Sequence, residues 1–416
     1  MRVEAEAILS WLRSREDQMA ALLLELVRAE SPSVALGSER RALSLLAAEL
    51  RSAGHLTRLV PGHASGAHLY ARPRIRAHGA PHQLVVGHVD TVWPLGSVRR
   101  MTPRIENGRL YGPGAYDAKG GLVQLVFALR ALAELGAVAP VTPVVFVNAD
   151  EETGSTDSLR WLRLLACGAD RAFVLEPPDG SDGRLKTGRK GVGLFRVTIL
   201  GRPAHAGASP EEGVSAILEL AHQVEHLFAL NDPDRGITVN VGTIDGGLRP
   251  NMIAPEASAL VDVRAPTAST AQKVERAIRS LRPTRPGLTL GVEGSFARPP
   301  MLQTDANRAL SRRARVLART VGLELDEAPV VGGGSDANFT SELTPTLDGL
   351  GALGDGAHAL DEHVVVHALP ERAALLALLL LEPAGVGVSG GSRLLPPPRA
   401  GGWPASADAE AAARGR

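Results

Sequence analysis

Hydrophobic residues in the first half of the chain form short continuous runs and longer stretches with helical spacing. The runs at residues 84–90, 144–149 and 172–175 predict buried strands. The stretch at residues 119–135 repeats apolar positions every three or four residues and predicts a helix that ends at Gly136. Strands that alternate with helices predict an α/β fold, a mostly parallel sheet with helices on both faces.

The two ends of the chain have patterns of their own. The N-terminal segment predicts one amphipathic helix that extends to about Ala29, without the apolar segment of a signal peptide. No window reaches the roughly 18 uninterrupted apolar residues of a membrane span, so we expect a soluble, cytoplasmic protein without a membrane partner. Residues 383–416 are rich in Gly, Pro, Ala and Ser and predict a disordered tail.

The pattern changes near Lys186. The order that follows is strand, helix, strand, strand, helix, strand, which predicts a ferredoxin-like α+β domain inserted into the first one. The predicted elements are a strand at 192–200, a helix at 211–230, strands at 237–244 and 259–264, a helix at 270–281 and a strand at 288–292. The predicted domain limits are 1–188 for the first part of the main domain, 189–297 for the insertion and 298–382 for the second part.

Composition narrows the possible partners. Lys plus Arg and Asp plus Glu both number 45, so the net charge is zero and no global field favours nucleic acid. The single cysteine, Cys167, excludes thiolate-rich metal sites. We therefore expect a small-molecule or peptide substrate, and any metal must be held by His and carboxylate side chains.

Three consecutive acids, Asp150, Glu151 and Glu152, follow the predicted strand at 144–149. Ligands bind outside the carboxyl ends of strands in open α/β sheets, so these acids lie where chemistry is usually done. Acids so close repel one another unless a cation neutralises them. The alternative is a solvated acidic turn, which is the fate of most charge runs.

Other candidate residues also follow predicted strands. His88 and Asp90 share one strand face, and an acid beside a histidine can fix its tautomer. Asp117 lies in a Gly-rich loop before a helix, where it is either a ligand or only a helix cap. No Gly-Lys-Ser/Thr follows that loop, which excludes a phosphate-binding P-loop.

Two histidines and three carboxylates are too few for two separate sites of four ligands. They suffice if Asp117 bridges two metal ions, because each ion then has two more ligands and an open position, which is the catalytic pattern. The five candidates are His88, Asp117, Glu152, Glu176 and His358, the last after a predicted strand at 346–353.

Five motifs in fixed order carry a resemblance to the dizinc exopeptidase and deacylase family. They are Gly87-His-Val-Asp-Thr91, Gly112-Pro-Gly-Ala-Tyr-Asp-Ala-Lys-Gly-Gly121, Asp150-Glu-Glu-Thr-Gly154, Gly201-Arg-Pro-Ala-His-Ala-Gly207, and Gly354-Asp-Gly-Ala-His358 with Glu362. The family includes glutamate carboxypeptidase, acetylornithine deacetylase, succinyl-diaminopimelate desuccinylase and aminoacylase. Arg189-Lys-Gly-Val-Gly193 and Val331-Gly-Gly-Gly-Ser-Asp-Ala337 resemble glutamate carboxypeptidase most.

The resemblance implies two zinc ions, with cobalt or manganese as alternatives. It implies that His88 and Glu176 bind one ion, Glu152 and His358 the other, and Asp117 both. It further implies that Glu151 is the general base and that Asp90 orients His88.

For the inserted domain, the resemblance implies a lid that also forms a homodimer. His205 would stabilise the oxyanion, from the same chain or from the partner subunit. Asn251 and Arg264 would bind the substrate carboxylate, for which an Arg fork is suited, and the backbone of Gly333 and Gly334 would contact the same end. Two departures, the bulky Tyr116 and Ser215 in place of Asn, concern fine specificity.

The expected reaction is removal of a C-terminal acidic residue from a peptide or N-acyl amino acid. An N-acyl amino acid deacylase shares every metal residue and differs in the recognised side of the amide. A non-catalytic dimeric binding protein and a nucleotide-binding oxidoreductase are more remote alternatives.

Other histidines and one acid are expected to have ordinary roles. His222 and His226 form an inverted zinc-protease pattern on a helix, but they lack a third ligand. Asp336 is expected to cap a helix. The remaining histidines in the polar stretch before residue 84, His63, His68, His78 and His82, are expected to face water.

Overall fold

The computed structural model describes residues 2–76 and 79–385 of the chain. The predicted tail lies outside the described residues from residue 386 onward, and so does His78. The helices of the described part are α1 (Arg2–Arg13), α2 (Glu16–Arg28), α3 (Arg40–Ser52), α4 (Gly120–Glu134), α5 (Leu159–Cys167), α6 (Ala216–Phe228), α7 (Ala268–Arg279), α8 (Asp305–Thr320), α9 (Ala337–Thr340) and α10 (Leu369–Leu380). The strands are β1 (His55–Pro61), β2 (Ala67–Pro73), β3 (His82–His88), β4 (Arg104–Glu106), β5 (Arg109–Tyr111), β6 (Thr142–Asn148), β7 (Ala169–Val174), β8 (Gly191–Leu200), β9 (Thr238–Gly246), β10 (Glu256–Ala265), β11 (Thr289–Arg298), β12 (Thr346–Leu347), β13 (Gly354–Asp355) and β14 (His363–Val365).

The described chain forms two compact units. The main unit comprises the residues up to Lys190 together with those from Pro300 onward, and the inserted unit is Gly191–Pro299. The domain limits drawn from the sequence, after residues 188 and 297, each precede these by two residues. Among the described residues, no helix combines the length and the apolar character that crossing a membrane requires.

The main unit is built on a six-stranded sheet in the order β1-β2-β6-β3-β7-β12. Strands β6, β3, β7 and β12 are parallel to one another, whereas β2 is antiparallel to both of its neighbours, β1 and β6. Alternate residues of each strand face opposite sides, as the pleat requires. Val145 and Phe173 pack against the helices α1–α4 and α10, whereas Val144 and Val174 pack on the side of α5. The predicted mostly parallel sheet with two covered faces is confirmed.

A second sheet of the main unit was not predicted. It is antiparallel, in the order β13-β14-β5-β4, and none of its strands exceeds three residues. The prediction of one strand at 346–353 was wrong, because β12 ends after Leu347. Gly349 then adopts a left-handed φ of 75°, which turns the chain toward β13.

The inserted unit follows the predicted element order, β8-α6-β9-β10-α7-β11. Its antiparallel sheet has the order β11-β8-β10-β9, which leaves β11 and β9 at the edges. Helix α6 is shorter than the predicted 211–230, because it begins only after Ser215, whose hydroxyl accepts a hydrogen bond from the Leu218 N–H at 3.2 Å. Ser215 is therefore an N-cap, a role that serine fills as well as asparagine.

The N-terminal segment forms two helices where one was predicted. Helix α1 ends at Arg13 and α2 begins at Glu16. At the break, the Ser14 hydroxyl donates to the carbonyl of Trp11 at 2.7 Å. Such a local bond competes with the helical ladder, which explains the interruption in a stretch without Pro or Gly.

Candidate metal centre

Three neighbouring parallel strands end at the same edge of the main sheet. His88 is the last residue of β3, which lies between β6 and β7. Glu151 and Glu152 lie just beyond the end of β6, and Glu176 lies two residues beyond β7. These four residues therefore lie at the carboxyl ends of the parallel strands, where the sequence predicted them.

Asp117 and His358 reach the same region from the second sheet. Asp117 lies in the turn Ala115–Lys119 after β5, where its own backbone is not helical, and His358 follows β13. Strand β14 pairs with both β5 and β13, so it brings the two loops side by side. Both residues follow strands, as expected, but these strands belong to the second sheet, and the strand before His358 is β13 and not the predicted one at 346–353.

Asp117 stands between two groups of ligand atoms. Its Oδ1 lies 3.1 Å from His88 Nε2, which is 3.5 Å from Glu176 Oε1. Its Oδ2 lies 3.5 Å from His358 Nε2, which is 3.2 Å from Glu152 Oε1. One carboxylate thus faces two histidines, each paired with a further acid.

Asp90 connects two strand ends. Its carboxylate accepts the backbone N–H of Glu151 at 3.2 Å, the N–H of Glu152 at 3.1 Å and the Ser33 hydroxyl at 2.7 Å. His88 Nδ1 is closer to the Asp90 carbonyl, at 3.0 Å, than to its carboxylate, at 3.5 Å. A carbonyl can only accept, so Nδ1 carries a proton, and Nε2 is the ring nitrogen that faces the acids.

Glu151 is buried within the same cluster. One ligand atom each of His88, Glu151 and Glu176 lies within 4.8 Å of the others, and the same is true of His88, Asp117 and Glu152. Distance alone therefore does not separate a base from a ligand here. Glu176 is paired with His88 and Glu152 with His358, and the role of Glu151 as the base stays a prediction from the motif that it shares with Glu152.

The electrostatics of the cluster favour positive charge. Burial by itself lowers the pKa of His88, but hydrogen bonds to the surrounding carboxylates, that of Asp117 foremost, raise it well above the ordinary value. Hydrogen bonds to Asp117 and Glu152 raise the pKa of His358 to about 10. Burial by itself raises the pKa of Asp117, but the imidazoles of His358 and His88 lower it. Burial raises the pKa of the Glu152 carboxyl, because its charged form loses solvation there.

These residues fit a pair of divalent cations. Buried carboxylates are stable only when they are paired or coordinate a metal, and this cluster holds more acids than histidines. Imidazole nitrogen and carboxylate oxygen are the donors that suit zinc, cobalt and manganese. With Asp117 shared, each of two ions would have a histidine and an acid of its own.

Comparisons with known proteins agree with this geometry. Residues 84–382 match the sequence profile of peptidase family M20/M25/M40. The chain belongs to this family. It is therefore a metal-dependent peptidase or amide hydrolase, and the suspected resemblance is confirmed.

Two relatives in the family are named as different enzymes. Carboxypeptidase G2 of Pseudomonas sp. (strain RS-16) is 29% identical over 313 residues, which cover 74% of this chain and 75% of that protein. A succinyl-diaminopimelate desuccinylase of Methylobacterium sp. (strain 4-46) is 31% identical over 371 residues, covering 82% and 91%. A solved tripeptidase structure from Staphylococcus aureus superposes with a TM-score of 0.71 at 22% identity, covering 88% of this chain and 98% of that one. That structure shares the fold.

Arg189 is a residue of the site whose role the sequence did not reveal. Its Nε lies 2.6 Å from Asp348 Oδ2, and its Nη1 donates to the Gly333 carbonyl at 3.0 Å and the Gly334 carbonyl at 3.4 Å. Its Nη2 lies 3.7 Å from Glu176 Oε2. Arg189 thus links Gly333 and Gly334, the two glycines expected to contact substrate, to Glu176, a candidate metal ligand. Arg189 belongs to the motif at residues 189–193, but the sequence alone did not indicate which residues its side chain contacts.

Two other residues differ from the sequence expectations. His68 does not face water, because it lies in β2, next to β6, and is fully buried, with Nδ1 accepting the Ala149 N–H at 3.3 Å. Asp336 makes no side-chain cap of α9. Its carboxylate instead accepts from Asn148 Nδ2 at 2.7 Å and from Ser155 Oγ at 2.5 Å, on either side of the acid loop.

Two candidates in the inserted unit lie on adjacent segments. The Ala206 N–H donates to the Asn251 carbonyl at 3.0 Å, and both His205 and Asn251 are exposed. His205 Nδ1 accepts the N–H groups of Gly207 and Ala208 at 3.1 and 3.0 Å. In the neutral imidazole the proton is therefore on Nε2, so His205 presents a donor.

Arg264 already has a partner within the inserted unit. Its Nε and Nη2 donate to the two carboxylate oxygens of Asp262 at 2.7 and 2.8 Å, a bidentate pair on one face of β10. Both side chains are about one third exposed, at 29% and 37%. A substrate carboxylate would have to compete with Asp262 for this fork.

Proposed function

We propose that this M20 enzyme is a dinuclear metal hydrolase that releases a C-terminal acidic amino acid by cleaving an amide bond. The observation that carries the proposal is the position of Asp117, with one carboxylate oxygen toward His88 and the other toward His358. A shared carboxylate between two histidine–acid pairs is the donor arrangement that two-metal hydrolytic sites require.

In this proposal His88 and Glu176 hold one ion, Glu152 and His358 hold the other, and Asp117 holds both. Zinc is the expected metal, with cobalt or manganese as alternatives. When bound, such ions polarise the substrate carbonyl and lower the pKa of water.

The other residues act on protons and on the substrate. Glu151 takes a proton from the attacking water and delivers it to the leaving nitrogen. Its backbone is fixed by the Asp90 carboxylate, which accepts the Glu151 N–H. His205 donates from Nε2 to the carbonyl oxygen as negative charge develops there.

The substrate carboxylate is the proposed ligand of Asn251 and Arg264, with the backbone of Gly333 and Gly334 at the same end. An Arg fork binds a carboxylate through two parallel hydrogen bonds, which favours substrates with an acidic end. The name of the relative carboxypeptidase G2 supports release of a C-terminal residue.

The alternative function is an N-acyl amino acid deacylase. The desuccinylase relative, at 31% identity, favours it, and the same metal residues serve both reactions. The two enzymes differ only in which half of the amide is recognised.

A matched substrate set distinguishes these functions. One series keeps the acyl group and varies the released amino acid among Glu, Ala and Lys, and the other keeps Glu and varies the acyl group. A carboxypeptidase should discriminate in the first series and a deacylase in the second. Zinc-loaded protein should contain two ions per chain, and a content of one or none would contradict the dinuclear proposal.

A homodimer formed through the inserted unit is part of the proposal. Edge strand β9 exposes Ile244, and the adjoining turn exposes Leu248, at 60% and 73%. Helix α6 exposes Ile217 and Phe228, at 47% and 46%. An uncovered strand edge with apolar neighbours favours pairing with a copy of itself. The cytoplasmic location stays an expectation.

A further inference from the structure

Glu362 lies four residues after His358 and forms hydrogen bonds to the loop that carries Asp117. Its buried carboxylate accepts the backbone N–H groups of Gly114 at 2.8 Å, Tyr116 at 3.0 Å and Asp117 at 3.0 Å. The Trp93 indole N–H donates to it as well, at 3.2 Å. One carboxylate thus receives four donors.

The loop that Glu362 holds contains two glycines and also has backbone hydrogen bonds of its own, from the Ala115 N–H to the Gly112 carbonyl at 3.1 Å and from the Lys119 N–H to the Gly114 carbonyl at 3.0 Å. Gly112 and Gly114 have φ values of 149° and 72°, and the Gly112 N–H donates to the Glu362 carbonyl at 3.1 Å. Residues with such φ values are permissive backbone with a large conformational entropy to lose. The hydrogen bonds to Glu362 therefore help to fix where the Asp117 carboxylate points.

We propose that Glu362 is a positioning residue that sets the distance between Asp117 and His358 and thereby controls the affinity of the second metal ion. The inference rests on the proposed function. Because Glu362 belongs to the His358 loop and binds the Asp117 loop, it couples the two ligands that the parallel sheet does not carry.

The two ions depend on this coupling to different degrees. The ion between His358, Glu152 and Asp117 takes two of its three protein ligands from the coupled loops. The ion between His88, Glu176 and Asp117 takes only Asp117 from them. Loosening the loops should therefore weaken the His358 ion first.

The variant Glu362→Gln tests this. Each carboxylate oxygen of Glu362 accepts two of the four donors. Glutamine replaces one oxygen with an NH₂ group, which cannot accept, so two donors lose their partner. Titration of metal-free protein with Co²⁺ against a competing chelator should show the weaker ion bound about 10- to 100-fold less tightly, the usual effect of losing a partner behind a ligand. The tighter ion should keep its affinity within a few-fold.

Asp157→Ala is the control, because its donors all meet the single oxygen Oδ2, whose place an asparagine carbonyl could take. Asp157 also accepts three backbone N–H groups, from His63, Ala64 and Ser65, at 2.6 to 3.0 Å, together with the Ser65 hydroxyl. The loop it holds carries no ligand candidate. This variant should lower the melting temperature and leave both Co²⁺ affinities unchanged.

Two results would overturn the inference about Glu362: Glu362→Gln binding both ions like the wild type and the control, or losing both equally. If Glu362→Gln does not fold, Glu362→Asp keeps the charge and shortens the side chain, and it should show the same selective loss to a smaller degree. Wild-type protein that binds fewer than two Co²⁺ ions would instead contradict the proposed function.

Discussion

The candidate residues of the main unit and those of the inserted unit differ in how they are held. In the main unit, His88, Asp117 and Glu176 have little exposure and contact one another directly. In the inserted unit, His205 and Asn251 are exposed and are linked only through neighbouring backbone. The candidate metal ligands thus already contact one another, whereas in the proposed function the other group would obtain its partners from the substrate.

The difference has an energetic basis. Buried charges are costly unless they are paired or coordinate a metal, so the acids of the main unit are under strong geometric constraint. An exposed pair such as Arg264 with Asp262 is worth only about 0 to 1 kcal/mol, so it can be exchanged for a substrate carboxylate at small cost. Chemistry should therefore be sensitive to the main unit and recognition to the inserted one.

The largest expected effect comes from Glu151→Gln in the main unit. The change keeps the size of the side chain and removes the proton acceptor, so kcat should fall about 100- to 10,000-fold. Metal content, measured by elemental analysis, should stay at the wild-type value because the proposal assigns the ligand positions to five other residues. A rate near that of the wild type would assign the base to another residue, and a loss of metal would make Glu151 a ligand.

The same contrast explains what the sequence could predict. Strands β3, β6 and β7 have strong apolar runs, so the positions of His88, Glu152 and Glu176 at one sheet edge followed from pattern alone. Asp117 and His358 depend on strands of two or three residues, too short to show any period. Their assignment came from the motifs and the resemblance.

Residues that act through backbone groups were harder to find. Arg189 bonds to the carbonyls of Gly333 and Gly334, and Glu362 bonds to N–H groups about 245 positions away. Backbone partners leave no signal in residue type, and a single sequence carries no record of which segments meet. Conversely, the alternation in β8 and β10 was enough to predict the inserted sheet.

The second-largest effect is expected from His205→Ala, which tests whether the inserted unit contributes to catalysis. Loss of one donor to a developing oxyanion typically costs about 100- to 1000-fold in kcat, with little change in ground-state binding. Metal content should be unchanged, because His205 Nδ1 is already engaged by two backbone N–H groups. If His205→Ala lost metal and kept its turnover once reloaded, His205 would be a ligand and the role of His358 would have to be reassigned.

The smallest effects should come from the Arg264–Asp262 pair, where the two substitutions move KM in opposite directions. Arg264→Ala removes the fork and should raise KM for substrates with an acidic end about 10- to 100-fold, the range of a charged hydrogen bond, with kcat nearly unchanged. Asp262→Asn removes the competing charge and should lower that KM by at most about 5-fold, since an exposed pair is worth about 1 kcal/mol or less. Both effects should vanish for a substrate whose carboxylate is replaced by an amide. Equal changes for the acid and the amide would show that Arg264 supports the fold of β10 and does not bind the substrate.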